Sequence, residues 1–226
     1  MLTGPREEVE AKCMELAERL AGGADDDELQ CLILSLGQLN DQRALDPLIA
    51  TWRHPSAAVR RAVAEALPMA MVVGERSSAG VATLISLCVD EDPEVRDWAT
   101  CSLGRTLAAD SDDLRAFYDT PRIRAALIAR LDDTDPATRA EACAGLALRP
   151  VGNVVDLVGP LKRLLARPDV GRIPVIAAEA LGSAELYGSL LALRSWWTRD
   201  PALLDRAIRA CAPGSIESTR RSQHDG

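Results

Sequence analysis

At 226 residues the chain is long enough to bury a substantial core, and its formal charge of −8 argues against a general affinity for nucleic acid or anionic membranes. Aromatic residues make up 3% of the sequence and the apolar content is mostly Ala, Leu and Val, which favours helix over strand. Nearly all the positive charge is arginine, because Lys12 and Lys162 are the two lysines. A GC-rich genome would explain this bias, and arginine also suits fixed, hydrogen-bonded pairs better than a diffuse basic field.

Residues 5–21 are predicted to form an amphipathic helix with Val9, Cys13, Leu16 and Leu20 at helical spacing, stopped by Gly22 and Gly23. The acidic run Asp25, Asp26, Asp27 and Glu28 suits the start of a second helix reaching Leu39, where carboxylates meet the positive end of the dipole. A turn at Asn40 and Asp41 leads to a helix over 44–52, broken by His54-Pro55, and then to one over 57–71. Further helices are expected over 80–88 and 95–107. A longer acidic connection follows at 108–120, with a short helix near 114–118. Pro121 opens the next helix, to Leu131, where its missing N–H costs nothing. The pattern continues over 138–148, 154–166, 175–181, 185–197 and 201–211. Residues 213–226 have no periodicity and little apolar content, so they are expected to be a disordered tail behind a repeat domain at 1–212.

The six cysteines, at 13, 31, 88, 101, 143 and 211, include no Cys-x-x-Cys pair and sit inside apolar helical runs. They read as free thiols acting as small core hydrophobes. Pro5, Arg6, Glu7 and Glu8 stand where a secretory signal would be apolar, and no apolar run approaches the roughly 20 residues of a membrane span. A cytoplasmic protein with reduced thiols is therefore expected.

The second helices share a register. Leu36-Gly37, Leu67-Pro68, Leu103-Gly104, Leu146-Ala147 and Leu181-Gly182 recur at intervals of 31, 36, 43 and 35 residues. Two helices per unit at such a period mark an α-solenoid, in which neighbouring units stack because one pair cannot bury its own apolar stripe. At Asp92-Pro93, Val95-Arg96, Ala99 and Leu103-Gly104, and again at Asp135-Pro136, Thr138-Arg139, Ala142 and Leu146, the chain resembles the HEAT-repeat family in its short bacterial form. A third match runs through His54-Pro55, Val59-Arg60, Ala64 and Leu67. The resemblance implies an all-α, right-handed solenoid of about six stacked antiparallel helix pairs. It also implies an Asp–Arg ladder between repeats, with Asp92 and Arg96, and Asp135 and Arg139, as members. Arg60 has His54 in place of the aspartate, and the fifth unit has Gly171-Arg172 in a different setting, so the pattern assigns no ladder there.

Little supports catalysis. His54 and His224 are the only histidines, which removes most Ser-His and Cys-His schemes and any His-rich metal site. No phosphate-binding glycine loop is present. The carboxylate clusters at 25–28, 90–92, 110–113 and 132–135 lie at helix boundaries and read as solvated caps rather than metal ligands. No cofactor and no metal are expected. A DNA-glycosylase-like enzyme, which Asp97 beside Trp98 superficially fits, conflicts with the charge and the scarcity of lysine.

The helix faces then nominate a binding surface. With Val59, Val63 and Leu67, Val95, Ala99 and Leu103, and Thr138, Ala142 and Leu146 as core lines, the opposite, concave face carries Arg61, Glu65, Asp97, Trp98, Cys101, Arg105 and Glu141. Phe117 and Tyr118 in the long connection are a second candidate surface, the alternative being that they cover the widened gap between the third and fourth units. Trp196 and Trp197 are expected to close the end of the core, with at least one partly exposed or against a partner chain. The expectation is a non-enzymatic scaffold, monomeric or weakly dimeric, that binds a protein partner rather than nucleic acid or membrane. The alternative is a cofactor-binding protein similar to phycobilin-lyase-type HEAT repeats, which would require a ligand-sized cavity with converging polar groups.

Overall fold

A computed structural model of the protein describes residues 5–71, 77–106, 118–149 and 155–214, and among these there is no strand. The chain divides into two units, Met1–Ala126 and Leu127–Gly226. The first contains α1 (Pro5–Gly22), α2 (Asp26–Gln38), α3 (Leu45–Thr51), α4 (Ala57–Ala70), α5 (Ser77–Leu87) and α6 (Pro93–Gly104). Helix α7 (Pro121–Ala129) spans the division. The second unit contains α8 (Pro136–Ala147), α9 (Val158–Leu165), α10 (Ile173–Leu181), α11 (Tyr187–Leu193) and α12 (Pro201–Ala210). Short 3-10 turns at Gln42–Ala44 and Ala184–Leu186 lead into α3 and α11, so both helices are shorter than their apolar patterns.

In the first unit α2 packs on α4 and α4 on α6, while α1, α3 and α5 form a second row, each against the helix that follows it. The second unit repeats this, with α8, α10 and α12 in one row and α9 and α11 in the other. The protein is thus an all-α stack of helix pairs in each unit. The expected core lines are fully buried: Val59, Val63, Leu67, Val95, Ala99, Leu103, Thr138, Ala142 and Leu146 are all 0% exposed.

Turn chemistry sets where the second helices begin. Asp92 accepts from the N–H of Glu94 and Val95, Asp135 from that of Thr138, and Asp200 from that of Leu203. Each is followed by proline, which needs no partner for its nitrogen at the first helical position. Asp25 caps α2 in the same way at the N–H of Glu28. These carboxylates are caps, and among the described residues no group of acidic, His or Cys side chains is placed to hold a metal ion. Helix α10 ends on Gly182 in the left-handed conformation, φ 62°, which a side chain would strain.

The thiols depart from expectation. Cys88, Cys143 and Cys211 are buried, but Cys13 and Cys101 are half-buried and Cys31 is exposed. Cys31 falls outside the apolar arc of α2, which runs through Leu29, Leu32, Ile33 and Leu36. Burial pushes the Cys143 thiol up to about 12, despite the opposing fields of Arg163 and Arg139, and the Cys211 thiol up to about 11. Trp197 is buried and its Nε1 donates to the Val170 carbonyl at 2.9 Å, whereas Trp196 is 46% exposed.

The glycine after Leu36 allows α2 and α4 to touch. A Cβ at Gly37 would lie 2.9 Å from both Cα and Cβ of Ala66, so backbone would have to move. Gly37→Ala should therefore destabilise the protein by about 1–3 kcal/mol, read by urea denaturation. Gly188→Ala, where a Cβ meets nothing within 4 Å, should leave stability unchanged or raise it by up to about 1 kcal/mol.

Candidate functional site

Helices α4 and α6 are neighbours in the second-helix row, and both bury one side. Their other side carries Arg61 and Glu65 on α4, and Asp97, Trp98, Cys101 and Arg105 along α6 and its cap, all half-buried. Arg61 links three helices: its Nη2 donates to Gln30 Oε1 on α2 at 3.1 Å, and its Nε lies 4.0 Å from Glu94 Oε2 on α6. Arg105 closes α6 and places Nη2 3.2 Å from the Cys101 sulfur. Ser102, one residue along, turns inward and donates to the Ala64 carbonyl at 2.7 Å, which fixes the rotation of α6 against α4. Six candidates from two helices therefore occupy one mixed-charge face with a tryptophan in it.

Two other candidates do not belong to an open surface. Glu141 is buried, 5% exposed, because α8 is covered on nearly all sides from Ala140 to Ala147. The alanines, glycine and cysteine of that helix leave so little volume that neighbours approach on more than one face. Tyr118 is also buried. Desolvation raises the pKa of its phenol, against a hydrogen bond with Ser77 at the start of α5. It is a core residue of the first unit and not part of a partner-facing loop. Phe117 lies outside the described residues, as do most of the 108–120 connection and the tail beyond Gly214.

The ladder exists, with different partners. Arg60 donates from Nε and Nη2 to Asp90 Oδ2 and Oδ1, both at 2.8 Å, while its Nη1 donates to the carbonyls of His54 and Pro55. Both side chains of the pair are about nine-tenths buried. Arg60 thus ties the turn before its own helix to the turn of the next repeat, in the unit where His54 replaces the expected aspartate. Asp92 is occupied in capping α6, and Arg96 reaches the carbonyls of Asp90 and Glu91. Likewise Asp135 caps α8, and Arg139 donates to the carbonyls of Asp133 and Thr134. At Gly171-Arg172 a pair also forms, between Arg172 Nη2 and Asp200 Oδ2 at 2.6 Å. An aspartate directly before proline serves as the helix cap, so its carboxylate is already in use, and Asp90 lies two residues further back. The Asp90-x-Asp92-Pro93 spacing was the available signal, since one acid can cap while the other pairs.

Several cavities border the described residues. One, about 440 Å³, opens beside the Arg60–Asp90 pair and is lined by Trp52, Arg53, His54, Pro55 and Glu91 as well. The Arg53 guanidinium lies 4.5 Å from the Trp52 ring centre. A second, about 300 Å³, includes Lys12, Glu28, Cys31 and Ser35. Another, lined by Arg139, Arg163 and Arg167 among others, lies in the second unit.

No protein-family model matches the sequence, and no curated protein matches it. Solved structures do match its fold. A designed armadillo repeat protein in complex with the peptide (KR)4 is 20% identical, with a TM-score of 0.60 over 90% of this chain and 99% of that one. A computationally designed armadillo repeat protein for modular peptide recognition gives 0.55 at 20% identity, over 87% and 98% of the two chains. An engineered protein gives 0.57 at 20% identity, over 93% and 92%. The likeness establishes a helical-repeat fold of the solenoid kind.

The Arg60–Asp90 pair makes a prediction about pH. Burial resists ionisation of Asp90, but hydrogen bonds from Arg60 and the Asp92 N–H, with the charges of Arg60 and Arg96, prevail and hold its pKa below the ordinary 3.8. A depressed carboxylate pKa stabilises the fold above the unfolded value, and that contribution is lost as pH falls through the folded one. Asp90→Asn should therefore be markedly less stable than wild type at neutral pH, with the gap narrowing below about pH 4 in acid-titrated thermal melts. Arg60→Ala should cost about 3–5 kcal/mol, because it strands a buried carboxylate.

Proposed function

We propose that this chain is a non-enzymatic protein-interaction scaffold of the HEAT type, binding a partner segment along the second-helix face of α4 and α6. The observation that carries the reading is that Arg61, Glu65, Asp97, Trp98, Cys101 and Arg105 remain half-exposed on helices whose opposite sides are fully buried. Packing between repeats accounts for the buried residues, and Arg61 and Arg105 also make contacts within the stack, but neither calls for a tryptophan at the half-exposed position 98. A half-exposed tryptophan flanked by charged groups has the composition of an interface anchor, since it supplies a large rigid area at low entropic cost. Peptide recognition by the designed armadillo proteins supports the use of a helical-repeat surface for this purpose.

On this reading the protein works in the cytoplasm as a monomer or weak homodimer, and its partner is a protein rather than nucleic acid or a membrane. The charge of −8 opposes phosphate-backbone binding, and among the described residues no helix is long and apolar enough to cross a membrane.

Affinity capture from native extract, with wild type and Trp98→Ala as parallel baits, tests the surface. Both baits are first checked for equal helicity and melting temperature. Wild type should retain a stoichiometric protein partner. Trp98→Ala should bind that partner roughly thirtyfold more weakly, the effect of removing a hot-spot side chain worth about 2 kcal/mol. Equal recovery by both baits would remove this face from consideration.

A further inference from the structure

Within each unit an arginine at the edge of one repeat meets a carboxylate of the next, as Arg60 meets Asp90 and Arg172 meets Asp200. Arg139 holds the register of Arg60, each seven residues before the register leucine, Leu146 or Leu67. It also makes the same pair of bonds from Nη1 to two turn carbonyls. Among the described residues no carboxylate pairs with it. Asp90 stands three residues beyond the end of α5, and the corresponding position beyond α9 is Pro168. Asp169, next along, is turned onto Arg167, with bonds of 2.9 and 2.8 Å.

In place of an acid, the junction has a cavity of about 130 Å³ lined by Leu131, Arg139, Pro160, Arg163, Leu164 and Arg167. A single water needs only about 10–15 Å³ by this measure, so the space holds a polyatomic group. Arg163 is exposed and makes no ion pair among the described residues. Leu131 and Leu164 are buried and give the cavity an apolar floor, where charge-assisted bonds are stronger than in open solvent. Asp169 is bonded to Arg167, Asp135 also acts on Arg167, and Asp156 flanks Arg163 across Gly159, yet among the described residues neither Arg139 nor Arg163 forms an ion pair.

We propose that this cavity is an oxyanion site that takes a phosphate-type group, free or carried as a monoester, in the place that a carboxylate fills beside Arg60. One guanidinium suffices for a carboxylate at the Arg60 junction. Three arginines line this space, two of them without an ion pair among the described residues, and arginine forks bind phosphate oxygens in pairs. The site lies in the second unit and is independent of the α4–α6 face.

Calorimetric titration of the full chain with inorganic phosphate and with phenyl phosphate, at constant ionic strength against chloride, tests this. Saturable one-to-one binding of either ligand is expected, and the tighter of the two identifies whether the free ion or the ester is preferred. Arg163→Gln, which breaks no ion pair, should weaken binding roughly tenfold, as expected for loss of one charge-assisted contact. Pro168→Asp, which returns an acid to the register of Asp90, should abolish binding in a folded protein. Absence of saturable binding to wild type, or equal affinity in wild type and Arg163→Gln, would overturn the proposal.

Discussion

A single helix pair of this sequence cannot cover its own apolar stripe, and the rest of the structure follows from that constraint. Helix α4 shows why. Val59, Ala62, Val63, Ala64, Ala66 and Leu67 are all 0% exposed, more than one flat face could bury, and neighbours on both sides are needed to cover them. Helix α2 approaches from one side so closely that only glycine fits opposite Ala66, and α6 approaches from the other with Ser102 bonded to the Ala64 carbonyl. Small residues make this possible. A chain rich in alanine and poor in aromatics gains its burial by bringing helix backbones together rather than by inserting large rings.

Polar groups then fix what burial leaves free. Apolar stacking alone is non-directional, whereas the Arg60 guanidinium joins two backbone carbonyls of one turn to both carboxylate oxygens of the next. Such a clamp sets the spacing between repeats. The same economy explains the acidic turns, where one aspartate caps a helix and a second, two residues earlier, is available for the arginine. Where the second acid is absent, as beyond α9, the arginines are left around a cavity. A structural device and a candidate ligand site are thus two outcomes at one position of the repeat.

Much of this was legible in the sequence, because periodicity and turn residues act locally. The three core lines, the register leucines and the Asp-Pro helix starts were readable from spacing alone. Exposure and pairing across repeats were not. Glu141 was placed on an open face by helical geometry, yet α8 is surrounded because its residues are small enough to admit neighbours all round. Tyr118 read as a loop aromatic and is core, because the far end of its connection returns to Ser77. The ladder partner of Arg60 lies thirty residues away, at Asp90, so His54 in the local aspartate position gave a misleading signal.

The second-helix rows carry the fold, with α4 and α10 held between neighbours of their own row. Native-state hydrogen exchange measures this directly. Amides of α4 and α10 should be the slowest to exchange in their respective units, opening only with global unfolding, while α1 and α11 exchange faster through local fraying. Greater protection in α1 than in α4, or in α11 than in α10, would contradict the account.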